Sequence, residues 1–254
     1  MTEDTPFTDD GFLGGRLRIL QPKKGFRAGS DSVFLAAAVP ATAGDAVFEA
    51  GLGHGVAALC LLARVDGCHV TGVELDGRAA LLAEKNAARN GFASQLQVLR
   101  GDVRKAMRQD LAQWPRHGTF AHAFANPPYY QRGRIAASPL PQRAAAHAFA
   151  KDDLAAWIRV LAAMVRPRGT VSIIYPAASL DALLCAFARH LGDIRILPLA
   201  ASPQEPAGRV IIQGVKASAA PVSLLPPLVL HRDGGGYTPE AENILRNGAP
   251  LCLR

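Results

Sequence analysis

The chain has 254 residues, 49% of them apolar and 19% charged, with a net charge of +7. That length and balance predict one large domain with a substantial core and exclude a disordered chain. Its pI of about 9.6 points to a polyanionic partner, with nucleic acid favoured. Met1–Asp10 is polar and acidic, which excludes a signal peptide. No apolar stretch reaches the roughly 18 residues that span a membrane. Cys60, Cys68, Cys185 and Cys252 are scattered, without a CxxC pair. A reduced, cytoplasmic protein without a structural metal is the expectation.

Apolar strands and amphipathic helices alternate along the chain. Residues 1–44 form an N-terminal extension, read as mostly non-helical, with basic residues Lys23, Lys24 and Arg27. Ala46–Glu49 reads as a strand, followed by a glycine turn and a helix to about Val65. His69–Leu75 is a second strand. Asp76–Asn90 is a second helix, closed by Gly91 as a C-cap. Leu96–Leu99 is a third strand, with a helix predicted over Val103–Trp114. Phe120–Ala125 is the fourth strand and Asp152–Val165 a helix begun by acids. Thr170–Tyr175 is the fifth strand and Leu180–His190 a helix; Ile194–Leu199 and Val210–Val215 close the sheet. This order predicts an α/β fold with a seven-stranded, mostly parallel sheet and helices on both faces. The principal domain spans 45–216. Residues 217–254 read as a linker near Pro221–Pro227 and a tail packed on that domain.

Glu49-Ala50-Gly51-Leu52-Gly53-His54-Gly55 occupies the first strand-to-helix junction. Glycine at every second position lets backbone approach a ligand unobstructed. The GxGxG spacing differs from the GxGxxG of dinucleotide folds. The preceding acid, Glu49, would repel a pyrophosphate but suits a ligand carrying an ammonium group. Glu74, ending the second strand, is placed to accept from ribose hydroxyls, and Asp102, after the third, from an adenine amino group. His54 reads as a loop residue near the ligand. Positions 49, 74, 102 and 126 are separated by 25, 28 and 24 residues, one strand-helix unit each. All four therefore arrive at the carboxyl edge of one sheet, where open α/β folds bind ligands.

Asn126-Pro127-Pro128-Tyr129 ends the fourth strand. Two prolines fix φ twice and extend the residues before them, which makes a stiff ledge. Asn126 Oδ1 and the Pro127 carbonyl could accept the two hydrogens of a planar NH2 group, with Tyr129 stacked on its ring. Lys23, Lys24, Arg132 and Arg134 are candidate RNA-phosphate contacts.

These features resemble the class I S-adenosylmethionine-dependent methyltransferases, over roughly Asp45–Lys216. The resemblance implies S-adenosylmethionine as cofactor and Asn126, Pro127 and Tyr129 as the acceptor site for a nitrogen conjugated to a π system. Adenine N6, guanine N2 and a glutamine amide all fit that description. The run Gln21–Leu35 is in turn similar to the opening of the tRNA1(Val) adenine-N6 methyltransferase family. That likeness adds Arg27, Ser30 and Asp31 to a cofactor set of Glu49, Gly51, Gly53, Gly55, Glu74, Leu75, Asp102, Val103 and Asn126. It implies methylation of adenine N6 in tRNA. Three alternatives are a glutamine methyltransferase acting on a release factor, an rRNA guanine-N2 methyltransferase, and an RNA-binding module without turnover.

Overall fold

The computed structural model describes residues 6–105, 114–128 and 151–253. Tyr129, Arg132, Arg134 and most of the helix predicted over Val103–Trp114 lie outside the described residues; Val103–Lys105 is a single 3-10 turn.

The chain opens with an antiparallel hairpin of β1 (Phe7–Phe12) and β2 (Leu17–Pro22). It continues through α1 (Ser30–Ala38) into β3 (Ala46–Ala50), α2 (Val56–Leu62), β4 (His69–Glu74), α3 (Gly77–Arg89), β5 (Leu96–Arg100) and β6 (Phe120–Ala125). Then come α4 (Lys151–Met164), β7 (Val165–Pro176), α5 (Leu180–Ala188), β8 (Leu191–Ala200), β9 (Arg209–Lys216), the short β10 (Ser223–Leu224) and β11 (Leu228–Val229), and α6 (Pro239–Asn247). The main sheet runs β10-β8-β9-β7-β6-β3-β4-β5, with β11 also on β8. Strands β7, β6, β3, β4 and β5 are mutually parallel, whereas β9 runs antiparallel to both its neighbours. The seven predicted strands are all present, and the chain reverses direction in the sheet at β9.

Period-2 alternation places Val47 on one face of β3 and Phe48 on the other. Val47 joins the core under α1 and α2; Phe48 joins the core under α4 and α5. The first core also takes Leu13, Leu17 and Ile19 from the hairpin and Ala241, Ile244, Leu251 and Leu253 from the C-terminal segment. Both ends of the chain therefore share one apolar cluster with the sheet.

The N-terminal extension is mostly non-helical, as expected, but it holds one α-helix, α1, nine residues long with Ser32–Ala38 all buried. A helix covered on every side carries no polar stripe, so its 3.6-residue period is invisible in sequence. The segment read as a linker contains β10, and the start of the tail forms β11; both pair in parallel with β8 along the sheet edge.

Candidate active site

The ends of β6, β3, β4 and β5 form one row. In register, Ala125 pairs with Ala50, Ala50 with Val73, and Glu74 with Arg100. The residues that follow each strand, Asn126, Gly51, Leu75 and Gly101, therefore stand side by side at the carboxyl edge. Strand β3 is the switch point, with β4 on one side and β6 on the other.

Three hydrogen bonds anchor the glycine loop. Gly51 N–H and Leu52 N–H both donate to the Val73 carbonyl, at 2.9 and 3.0 Å. Gly53 N–H donates to Glu74 Oε2 at 2.7 Å. The φ values of Gly51, Gly53 and Gly55 are 71°, 56° and 84°, a region that side chains with a Cβ rarely adopt. Gly51 has a second reason to be glycine. A Cβ there would stand 2.5 Å from Cη2 of Trp157, on α4. Glycine thus lets the loop drop onto the sheet edge and leaves a backbone-lined cradle.

The three acids are held in different ways. Glu49 is buried on the α2 side of β3. Burial pushes its carboxyl well above the ordinary range, the Ala58 amide lowers it in part, and the nearby Glu74 charge raises it further. Ala58 is in the first turn of α2, where backbone donors lack helical partners. Glu49 Oε2 is buried with no hydrogen-bond partner among the described residues. Glu74 Oε1 accepts from Asp76 N–H at 2.9 Å, and its Oε2 holds Gly53. Each oxygen keeps a further lone pair for a ligand hydroxyl. Asp102 accepts from Arg104 Nε and Nη2 at 3.0 and 2.9 Å. Burial raises the Asp102 pKa, but the Arg104 hydrogen bonds and charge outweigh it and leave the carboxyl below its usual range. Val103 is buried beside it, and Leu75 is exposed. Asn126 is half-buried and Pro127 buried at the end of β6.

The N-terminal candidates fall around this row. Arg27 turns to the hairpin: Nη2 donates to Asp10 Oδ2 at 2.6 Å and Nη1 to Thr8 Oγ1 at 2.7 Å. Asp31, in the first turn of α1, pairs with Arg209 of β9 at 2.9 Å. Ser30 opens the same helix, and Lys24 is exposed beside Lys23. His54 is buried with Nδ1 unpartnered among the described residues. Burial depresses its pKa, against the pull of Asp76, and so favours the neutral ring.

Sequence reasoning missed three residues here. Gln21 is buried and spans Asp10 and Ala28; Phe26 stands on the glycine loop; Trp157 closes over Gly51. An aromatic between lysines and an arginine was a legible signal for Phe26. The Gln21 and Trp157 contacts depend on hairpin register and helix docking, which no local pattern encodes.

The sheet order, its antiparallel β9 and the glycine loop followed by Glu74 define a class I methyltransferase. Residues 26–150 match the methyltransferase small domain family. A tRNA1(Val) (adenine(37)-N6)-methyltransferase of Shewanella putrefaciens is 31% identical over 159 residues, which are 61% of this chain and 63% of that relative. The chain thus spans slightly under two thirds of that relative's length. The enzyme of the same name from Aeromonas hydrophila is 30% identical over 188 residues, covering 72% of this chain and 73% of the relative. Among solved structures, a predicted O-methyltransferase from Agrobacterium tumefaciens superposes with a TM-score of 0.73 at 24% identity, over 87% of this chain and 98% of that one. The chain belongs to the tRNA1(Val) adenine-N6 methyltransferase-like family of class I S-adenosylmethionine-dependent methyltransferases. Its residues fit that cofactor: a Cβ-free cradle, a carboxylate with free lone pairs for hydroxyls, and a buried unpartnered acid oxygen beside the loop.

Proposed function

We propose that this protein transfers a methyl group from S-adenosylmethionine to the exocyclic N6 of an adenine in tRNA. The observation that carries the reading is the adjacency of two different sites. Gly51, in the cofactor cradle, and Asn126, at the acceptor ledge, directly follow the register partners Ala50 and Ala125. In this reading Gly51, Gly53 and Gly55 admit the cofactor, Glu74 binds the ribose, and Leu75, Asp102 and Val103 bound the adenine. Arg27, Ser30 and Asp31 frame the site from the N-terminal side.

The bound cofactor supplies an electrophilic methyl group, so the chain's task is placement. An adenine N6 is a poor nucleophile because its lone pair is delocalised into the ring. Asn126 Oδ1 and the Pro127 carbonyl accept its two hydrogens, which favours a pyramidal nitrogen and aims its lone pair. Burial of Pro127 and the double proline fix the ledge before substrate arrives, and such positioning is worth several kcal/mol. Tyr129 stacks on the base. Swinging the base out of structured RNA costs a few kcal/mol. Phosphate contacts from Lys23, Lys24, Arg132 and Arg134 help to offset that cost.

The test is incubation with methyl-labelled S-adenosylmethionine and tRNA from a strain lacking the gene, followed by mass spectrometry of nucleosides. Label in N6-methyladenosine is the expected outcome. An active preparation that leaves adenosine unlabelled refutes the reading.

A further inference from the structure

Phe26 stands at the lip of the glycine loop and takes no part in either core. The residue is 64% exposed. Its Cε1 lies 3.8 Å from the point a Cβ on Gly53 would occupy, and its centroid is 6.3 Å from that of His54. Leu75, 62% exposed, directly follows Glu74, whose Oε2 holds Gly53. A single exposed apolar side chain needs no explanation. Here two flank one backbone-to-carboxylate hydrogen bond in a ligand cradle.

The position of Phe26 is built. Ala28 N–H donates to Gln21 Oε1 at 2.8 Å, and Gln21 Nε2 donates to Asp10 Oδ2 at 2.8 Å and to the Ala28 carbonyl at 3.3 Å. Gln21 is 1% exposed, so this bracket is dry. Arg27 is fixed to the same Asp10 and to Thr8. Gly25, with φ 105°, makes the turn that brings the ring to the loop.

The chemistry around the ring favours a cation. Glu74 and Leu75 are consecutive, so the sugar and base of a bound nucleoside lie at that end of the cradle. Phe26 stands over Gly53, two residues along the loop from Gly51, which neighbours Asn126 at the sheet edge. Two basic groups beside the loop compete little: burial favours the neutral form of His54, and the Arg27 guanidinium is paired with Asp10. Glu49 and Glu74 supply negative potential.

We propose, resting on the methyltransferase reading above, that Phe26 is an aromatic wall that recognises the positively charged sulfonium of the cofactor through a cation–π contact. Phe26 thereby discriminates the charged methyl donor from the neutral thioether left after transfer. The ring holds the donor form and releases its hold once the charge is gone.

Calorimetric titration of the wild-type protein and of Phe26→Leu and Phe26→Tyr with S-adenosylmethionine and with S-adenosylhomocysteine tests this. Phe26→Leu keeps an apolar wall without a π face. It should weaken the charged ligand by about three- to tenfold and the neutral one by less than about twofold. Phe26→Tyr should restore the difference. An exposed site should leave the melting temperature of both variants unchanged. Equal weakening of the two ligands overturns the proposal and makes Phe26 a plain apolar wall. Unchanged affinities with a raised KM for tRNA overturn it in favour of an RNA contact. Wild-type protein that binds neither ligand refutes the methyltransferase reading itself, and this proposal with it.

Discussion

Gly51→Ala tests how the cradle is seated on the core. Gly51 sits at φ 71°, and its added Cβ would stand 2.5 Å from Trp157 Cη2 and 3.0 Å from Cζ3. Carbon atoms pack comfortably at about 3.5–4.0 Å, so roughly 1 Å must be found. Trp157 cannot easily yield it, because it packs with Phe48, Ala50, Ile158 and Leu161 in a closed core. A left-handed alanine costs about 1–2 kcal/mol and overpacking about 1–3 kcal/mol more. Gly51→Ala should therefore lose about 2–5 kcal/mol. Gly53→Ala is the control. Its φ is 56°, but the nearest atom to its Cβ is the exposed Phe26 ring at 3.8 Å. It should lose only the backbone part, about 1–2 kcal/mol. Any gain from restricting the unfolded chain is common to both variants and cancels in their difference. Urea unfolding followed by tryptophan fluorescence, extrapolated linearly to water, gives both values. Equal losses in the two variants would refute the argument that Trp157 forces glycine at this position.

Asn126→Ala should lower kcat by orders of magnitude and leave cofactor affinity within about twofold in titration, whereas Glu74→Ala should weaken the cofactor first, since it also frees Gly53 N–H; matching profiles would contradict the division of roles. Lys23→Ala with Lys24→Ala should weaken tRNA binding and reduce the slope of log affinity against log salt by about 2 in filter binding. Glu49 has a folded pKa above its unfolded value, so its contribution to stability is present at low pH and is lost as pH rises through the folded pKa. Glu49→Gln removes that loss, so in cofactor-free protein its stability advantage should grow with pH in urea unfolding; parallel pH profiles would show that Glu49 does not titrate in this way.

The alternation of strands and helices was legible because each strand is a short apolar run bounded by turn residues. Asp76 and Asn90 bound α3 as its N-cap and C-cap, so a helix predicted over 76–90 is observed as 77–89 with those two residues as caps. The four-position row at the sheet edge was legible for a topological reason. Each parallel strand-helix unit consumes a similar length of chain, so a period in sequence becomes a line in space. Strand β7 shows where such reading stops. It begins at Val165, well before Thr170, and passes Arg168 at φ 68° and Gly169. Pro167-Arg168-Gly169 reads as a turn, yet pairing with β6 absorbs it through a register shift between Phe120 and His122. Only the neighbouring strand decides that. The same holds for β10 and β11, short proline-flanked segments that are strands because β8 offers an edge. It holds also for the Asp10–Gln21–Arg27 network, which needs the hairpin register to exist.

Glu49 argues hardest that the fold was shaped around a ligand. A carboxyl in an apolar core is a cost to folding, since burial disfavours its charge and one oxygen finds no partner among the described residues. The Ala58 amide offsets part of that cost and explains why the acid is tolerated at the head of α2. It does not explain why an acid is there, because an apolar residue of similar size would remove the unpartnered oxygen altogether. Glu74 makes matters worse by raising the energy of a second nearby negative charge. Two acids that repel each other across a glycine loop are stabilised together only by a positive charge between them. Under the proposed function the cofactor brings that charge, in its ammonium and its sulfonium groups. Binding should then draw the Glu49 pKa down, and cofactor affinity should rise with pH over the window in which Glu49 would otherwise hold its proton.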